Sequence, residues 1–131
     1  GISNKQPIWA DNFVKAISHS KIALNLSQGF ASKYYTSDRF AQLIGNGLLV
    51  LIDKKTKFND FFNKDEIVTY KNISDLSKKI EKYSNDDALR QKIAKKGRDK
   101  YFKYFNSTTI AEFIIYKTFN FNKKYFWEDK D

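Results

Sequence analysis

Arg39 and Gln42 stand three residues apart, a spacing that makes two side chains neighbours on one helix face. A guanidinium and a carboxamide so placed can serve one ligand. The first offsets anionic charge and the second hydrogen-bonds polar groups. Arg39 falls in the first turn of the helix that its segment predicts, where a cation opposes the helix dipole. An anion seated there would remove the conflict; the alternative is a surface arginine paired with a carboxylate such as Asp38. Ser27, Gln28, Thr36 and Ser37 complete the candidate set. They lie in the loop after a predicted strand and at the start of that helix, where free amides suit a phosphate.

Other chemistry is excluded by composition. The 131 residues contain no cysteine, so disulfides, thiolate metal sites and cysteine nucleophiles are absent. His19 is the one histidine and sits between two serines, which reads as a surface or hydrogen-bonded ring. No nucleophile elbow, Walker loop or Gly-x-Gly-x-x-Gly is present. No catalytic residue, metal or cofactor is expected in this chain. Tyr34 and Tyr35 could stack on a base, with loop packing as the alternative.

The net charge is +9, but only three of the 24 basic residues are arginine. Nucleic-acid binders lean on arginine for bidentate contacts, which argues against that partner. Lys, Asn, Ile, Phe and Tyr are abundant together, and all have A/T-rich codons, so a compositional bias explains much of the charge. The excess is +3 over residues 1–70 and +6 over 71–131, where the pattern is helical. Solvated helix faces fit that distribution better than a focused cleft. No apolar run reaches the roughly 18 residues of a membrane span, and no secretory signal opens the chain, which favours the cytoplasm. There is no methionine, even at position 1, so the chain reads as a processed product or a piece of a longer protein.

The elements that must position the candidates follow from the apolar pattern. Asp11 or Asn12 caps a short helix with Phe13, Ala16 and Ile17 on its inner face. Ile22–Leu26 is a buried strand, and residues 27–36 form a polar loop. Thr36, Ser37 or Asp38 caps a helix that runs to about Asn46 and ends in Gly45-Asn46-Gly47. Leu48–Ile52 is apolar throughout, so both its faces are covered, as in a parallel sheet. Phe58, Phe61 and Phe62 suit a turn beneath it, and Glu66–Tyr70 is a third strand. Three helices follow: Ile73, Leu76, Ile80 and Tyr83 behind an Asn72 or Ser74 cap; Leu89 to Phe105 from Asp86 or Asp87; and Ile110 to Tyr116 from Ser107. The predicted fold is α/β, a partial Rossmann-like domain with a short parallel sheet of about three strands, flanking helices and a helical C-terminal tail.

The stretch Ser37–Val50 resembles the donor-binding segment of group 1 glycosyltransferases, and more closely their spore-maturation-type branch. That branch carries Arg-x-x-Glu, four further residues, then Gly and an apolar strand. Arg39 matches the arginine, Gln42 stands at the glutamate and Gly47 matches the glycine. The strand Glu66–Tyr70, the helix Ile73–Tyr83, the helix Asp86–Tyr104 with its Gly97-Arg98, and the upstream Ser20–Leu26 are similar to the same family in order and spacing. The turn Leu26–Ala31 echoes an earlier Glu-Gly-Phe-Gly turn, with Gln28 at its glutamate. The resemblance spans residues 12–118. It implies a GT-B enzyme of two Rossmann-like halves, of which residues 1–131 form one domain, the later part of the C-terminal, nucleotide-sugar-binding half. Gln42 would hold the ribose, and the helix start would receive the diphosphate. The catalytic base and acceptor site would lie in the missing N-terminal half, so this fragment alone would not turn over.

Half of the 22 aromatic residues lie between Tyr101 and Trp127. Phe119–Trp127 would either cross to the missing half or rest, with Lys117, Lys123 and Lys124, on the inner face of an anionic membrane. The rival function is a non-catalytic basic α/β module that binds nucleic acid or another polyanion, recognisable by steep salt dependence.

Overall fold

The computed structural model describes residues 8–27 and 29–128. The elements are α1 (Ala10–Ser18), β1 (Ile22–Asn25), α2 (Arg39–Gly45), β2 (Leu49–Asp53), two 3-10 turns (Lys54–Thr56 and Phe58–Asp60), β3 (Val68–Tyr70), α3 (Ile73–Asn85), α4 (Asp87–Tyr104) and α5 (Ser107–Thr118). The strands form one parallel sheet in the order β1-β2-β3, with Ala23 opposite Val50 and Leu51 opposite Val68. This is the expected partial Rossmann-like arrangement.

β2 is the centre of the molecule, and its two faces feed two cores. Val50 and Ile52 join Ile17, Phe40, Leu43, Ile44, Phe58, Phe62 and Ile67 on one side. Leu49 and Leu51 join Val68, Tyr70, Tyr83, Ile93 and Ala94 on the other. Residues 49–52 are at most 1% exposed. Each such side chain stabilises the fold by about 1.5–3 kcal/mol relative to exposure. α4 serves both sides: Ile93 and Ala94 pack in the second core, while Tyr101 and Phe105 border the first.

The turn from α2 into β2 is a Schellman closure. Leu48 N–H donates to Leu43 and Gly47 N–H to Ile44. Gly47 supplies the left-handed backbone, at φ +77°. Arg98 Nε donates to the Gly45 carbonyl at 3.0 Å, tying the same helix end to α4.

The ends of the elements depart from expectation in ways that local bonding explains. α1 begins at Ala10 behind Trp9, and neither Asp11 nor Asn12 caps it. None of Thr36, Ser37 and Asp38 caps α2 with its side chain. Asn72, Asp86 and Asn106 do cap α3, α4 and α5, accepting from Asp75, Leu89 and Thr109 amides. Ile73 and Ile80, expected on the inner face of α3, are 83% and 40% exposed. Lys79 takes the inward place beside β3, its ammonium donating to the Thr69 carbonyl at 2.6 Å and to Asp75 at 2.8 Å. An amine can satisfy that strand-end carbonyl and an isoleucine cannot. On α5, Phe113 and Tyr116 face the protein, while Ile110 and Ile114 face solvent.

The aromatic tail folds back on its own helices. Phe126 stacks on Tyr104 at 4.4 Å, and Trp127 on Phe105 at 5.5 Å. Phe113 meets Tyr125 edge-on at 5.2 Å. Phe119 and Phe121 remain 66% and 55% exposed.

Two outcomes test these contacts. A Cβ on Gly97 would lie 2.1 Å from the Glu66 carbonyl oxygen. Helix propensity alone would make Gly97→Ala stabilising by about 1 kcal/mol, but the clash reverses the sign. We expect thermal denaturation to show Tm lowered by at least about 5 °C. Arg90 is buried, donating to the Tyr83 carbonyl at 3.2 Å and pairing with Asp87. That pairing holds the Asp87 carboxyl below its ordinary 3.8. A depressed folded value means stability present above the ordinary value and lost as pH falls through the depressed one. Asp87→Asn should lower Tm at neutral pH, with the difference from wild type closing below pH 3.8.

Candidate functional site

The carboxyl ends of all three strands point one way, and α1 and α2 each open at that end because each leads straight into the start of the next strand. Asn25, the last residue of β1, is 2% exposed. Its Nδ2 donates to Thr36 Oγ1 at 2.9 Å, and Ser37 Oγ donates to its Oδ1 at 3.0 Å. Thr36 Oγ1 donates in turn to the Ser37 carbonyl. The two hydroxyls expected to meet a ligand are therefore engaged with the sheet. They fix where α2 begins.

α2 opens as a tight turn, with Phe40 and Ala41 amides donating to Ser37 and Asp38 carbonyls. Among the described residues, no backbone carbonyl takes the amides of residues 37–39. Phe40 is 3% exposed and anchors the helix, packing edge-on against Phe58 at 5.1 Å. With Phe40, Leu43 and Ile44 buried, Arg39 and Gln42 are left outward together.

Both side chains line a cleft of about 870 Å3, which they share with Asp38 just ahead of α2, with Trp9 just ahead of α1 and with Asp11, Phe13 and Val14 of α1. That volume lies in the range of small-molecule sites. Arg39 makes no ion pair among the described residues, although Asp38 and Asp11 line the same cleft. The arginine–carboxylate alternative is thus not what the structure shows. The Gln42 carboxamide likewise has no hydrogen-bond partner in the described protein; only its backbone carbonyl is used, by Asn46. Ser27 is half-buried and lies outside the lining, and Gln28 lies outside the described residues.

The opposite wall of the cleft is not apparent from sequence. Trp9, 76% exposed, faces this cleft from the start of α1. The sequence reads as a lead-in there, and the one signal was an apolar pair, Ile8-Trp9, just ahead of a helix. The two tyrosines divide: Tyr34 donates to Asp60 at 3.1 Å and packs on Phe61 at 4.8 Å, whereas Tyr35 is 43% exposed. His19 is bonded to its own helix, with Nδ1 2.8 Å from the Lys15 carbonyl. Among the described residues no cluster of metal-ligating side chains occurs, and no helix is long and apolar enough to cross a membrane.

A three-stranded parallel sheet flanked by helices is a partial Rossmann-like arrangement. The chain belongs to the glycosyl transferase-like family, whose model matches residues 1–116. That match gives glycosyl transfer as the general chemistry and a sugar donor as the general kind of partner. No curated protein and no solved structure matches the chain.

Asn25→Ala tests how the site is held. It removes the partner of two hydroxyls at a buried position, so we expect destabilisation of about 1–3 kcal/mol. Amide exchange should rise over residues 29–38 more than over β2.

Proposed function

We propose that this chain is the donor-binding part of a GT-B glycosyltransferase of the spore-maturation type. The enzyme would move a glycosyl group from a nucleotide sugar to an acceptor. One observation carries the reading: Arg39 and Gln42 line a common cleft at the starts of α1 and α2, and neither side chain has a polar partner among the described residues. In this reading the Arg39 guanidinium and the amides of residues 37–39 offset diphosphate charge. That charge grows as the sugar leaves, so the contact strengthens in the transition state and favours the leaving group. The Gln42 carboxamide orients the ribose. It is neutral, so it lacks the charge-assisted bonds of a carboxylate and holds the donor more weakly.

The catalytic base and the acceptor site belong to the other half of the enzyme, and the chain alone binds without turnover. A cytoplasmic enzyme fits this reading. The exposed Phe119 and Phe121 would meet that half or the inner face of the membrane.

Titrating UDP and GDP while following amide shifts tests the proposal. We expect changes at residues 9–14 and 37–42, an affinity on the order of millimolar because a half-site makes few contacts, and loss of binding in Arg39→Ala. Shifts dominated by the lysines of α3 and α4, fading at modest salt, would remove the donor assignment of these residues and leave the fold intact.

A further inference from the structure

Tryptophan is a poor choice at the start of a helix. The position ahead of the first turn favours Ser, Thr, Asn or Asp, whose side chains accept an orphan amide. Trp9 holds that position on α1 and caps nothing with its side chain. Its successor, Ala10, has left-handed backbone at φ +48°, a conformation that suits glycine. Strained backbone of this kind clusters at ligand-binding positions. The indole is also largely exposed, so its apolar faces stabilise no core. Three unfavourable features thus meet at one pair of residues.

The other tryptophan shows what a structural role looks like here. Trp127 stacks on Phe105 at 5.5 Å and on Tyr125 at 5.3 Å. Trp9 meets no aromatic ring among the described residues. What it lines is the cleft, across from Arg39 and Gln42. The α1 side of that cleft is mainly apolar, with Phe13 and Val14 continuing the wall that Trp9 begins, and the α2 side is polar. The volume of about 870 Å3 is far more than a phosphate group fills. A ligand held by Arg39 and Gln42 alone would leave the α1 wall bare.

A nucleotide has the matching make-up. Its phosphates are anionic, its ribose carries hydroxyls, and its base has two flat faces without polar atoms. A hexose ring fits the α1 wall less well. Its hydroxyls radiate from the whole rim, and α1 offers them one polar side chain in the cleft, Asp11. We propose that Trp9 is the stacking platform for the base of the nucleoside diphosphate that Arg39 and Gln42 hold, an assignment that rests on the donor reading of that pair. Every base has a π-face, so the platform supplies affinity without choosing between uracil and guanine.

The test titrates the 131-residue chain with UDP, with GDP and with inorganic pyrophosphate as a base-free probe, following tryptophan fluorescence and the amide shifts of residues 37–42. UDP and GDP should quench the fluorescence and pyrophosphate should not. Trp9→Phe should abolish the quenching while holding nucleotide affinity within about threefold, because it keeps a ring. Trp9→Ala and Trp9→Leu should weaken UDP and GDP by at least about fivefold, the lower end of what one stacked base contributes. They should leave the pyrophosphate shifts unchanged and Tm within about 3 °C of wild type, as befits an exposed position. Arg39→Ala should weaken all three ligands. Undiminished nucleotide binding in Trp9→Ala, with loss in Arg39→Ala, overturns the platform and leaves the donor reading standing. Quenching by UDP and GDP at wild-type affinity in Arg39→Ala sinks the donor role of Arg39 and leaves Trp9 as a base platform. No quenching by either nucleotide, an equal loss of pyrophosphate binding in Trp9→Ala, or a Trp9→Leu variant that binds like wild type overturns the stacking assignment.

Discussion

A strand without a polar face has to be covered twice, and everything else in this protein is arranged around that requirement. Leu49 and Leu51 need one layer, Val50 and Ile52 another. One long helix, α4, is shared between them. α4 can do this only by lying against the backbone at Glu66, and Gly97 is what lets it come so close. The same helix then reaches across with Arg98 to close the end of α2. The placement of Arg39 and Gln42 is thus a by-product of how β2 is buried: the side of α2 that carries Phe40, Leu43 and Ile44 is committed to the core, and the pair lies on what is left.

The fold was largely legible because burial writes itself into period and run length. Five apolar residues in a row at 48–52 announced a doubly covered strand, and the observed strand is displaced by one residue only because Leu48 belongs to the Schellman closure before it. The caps of α3 and α4 were readable for the same reason that caps exist: a short polar side chain ahead of an apolar period has one obvious use; at α5 the sequence pointed to Ser107, and Asn106 just before it is the cap. Where a side chain served a backbone group instead of a core, the pattern misled. Lys79 displaces Ile80 from the inner face of α3 for a carbonyl that no hydropathy profile shows.

The site was legible only in part. Arg39 and Gln42 could be paired from spacing alone. Thr36 and Ser37 have the right chemistry for a ligand, but Asn25, eleven residues away from Thr36, takes both hydroxyls. Trp9 comes into view only through tertiary structure, since nothing in its local sequence says which wall it will form. Charge was the least legible quantity: summed along the chain it favours the second half, and only ion-pair partners reveal which lysines are neutralised.

Gly97 also constrains how this sequence can drift. The abundance of Lys, Asn, Ile, Phe and Tyr points to pressure toward A and T in the coding strand. Every glycine codon begins with two guanines, so that pressure works directly against the five glycines that remain. At Gly29 an added side chain would meet nothing within 4 Å, and only backbone conformation opposes replacement. At Gly97 the nearest obstacle is main chain, which no compensating change of a neighbouring side chain can move aside. Drift that replaced Gly97 would not erode the packing by degrees; it would push α4, the element common to both cores, away from the main chain at Glu66 in a single step.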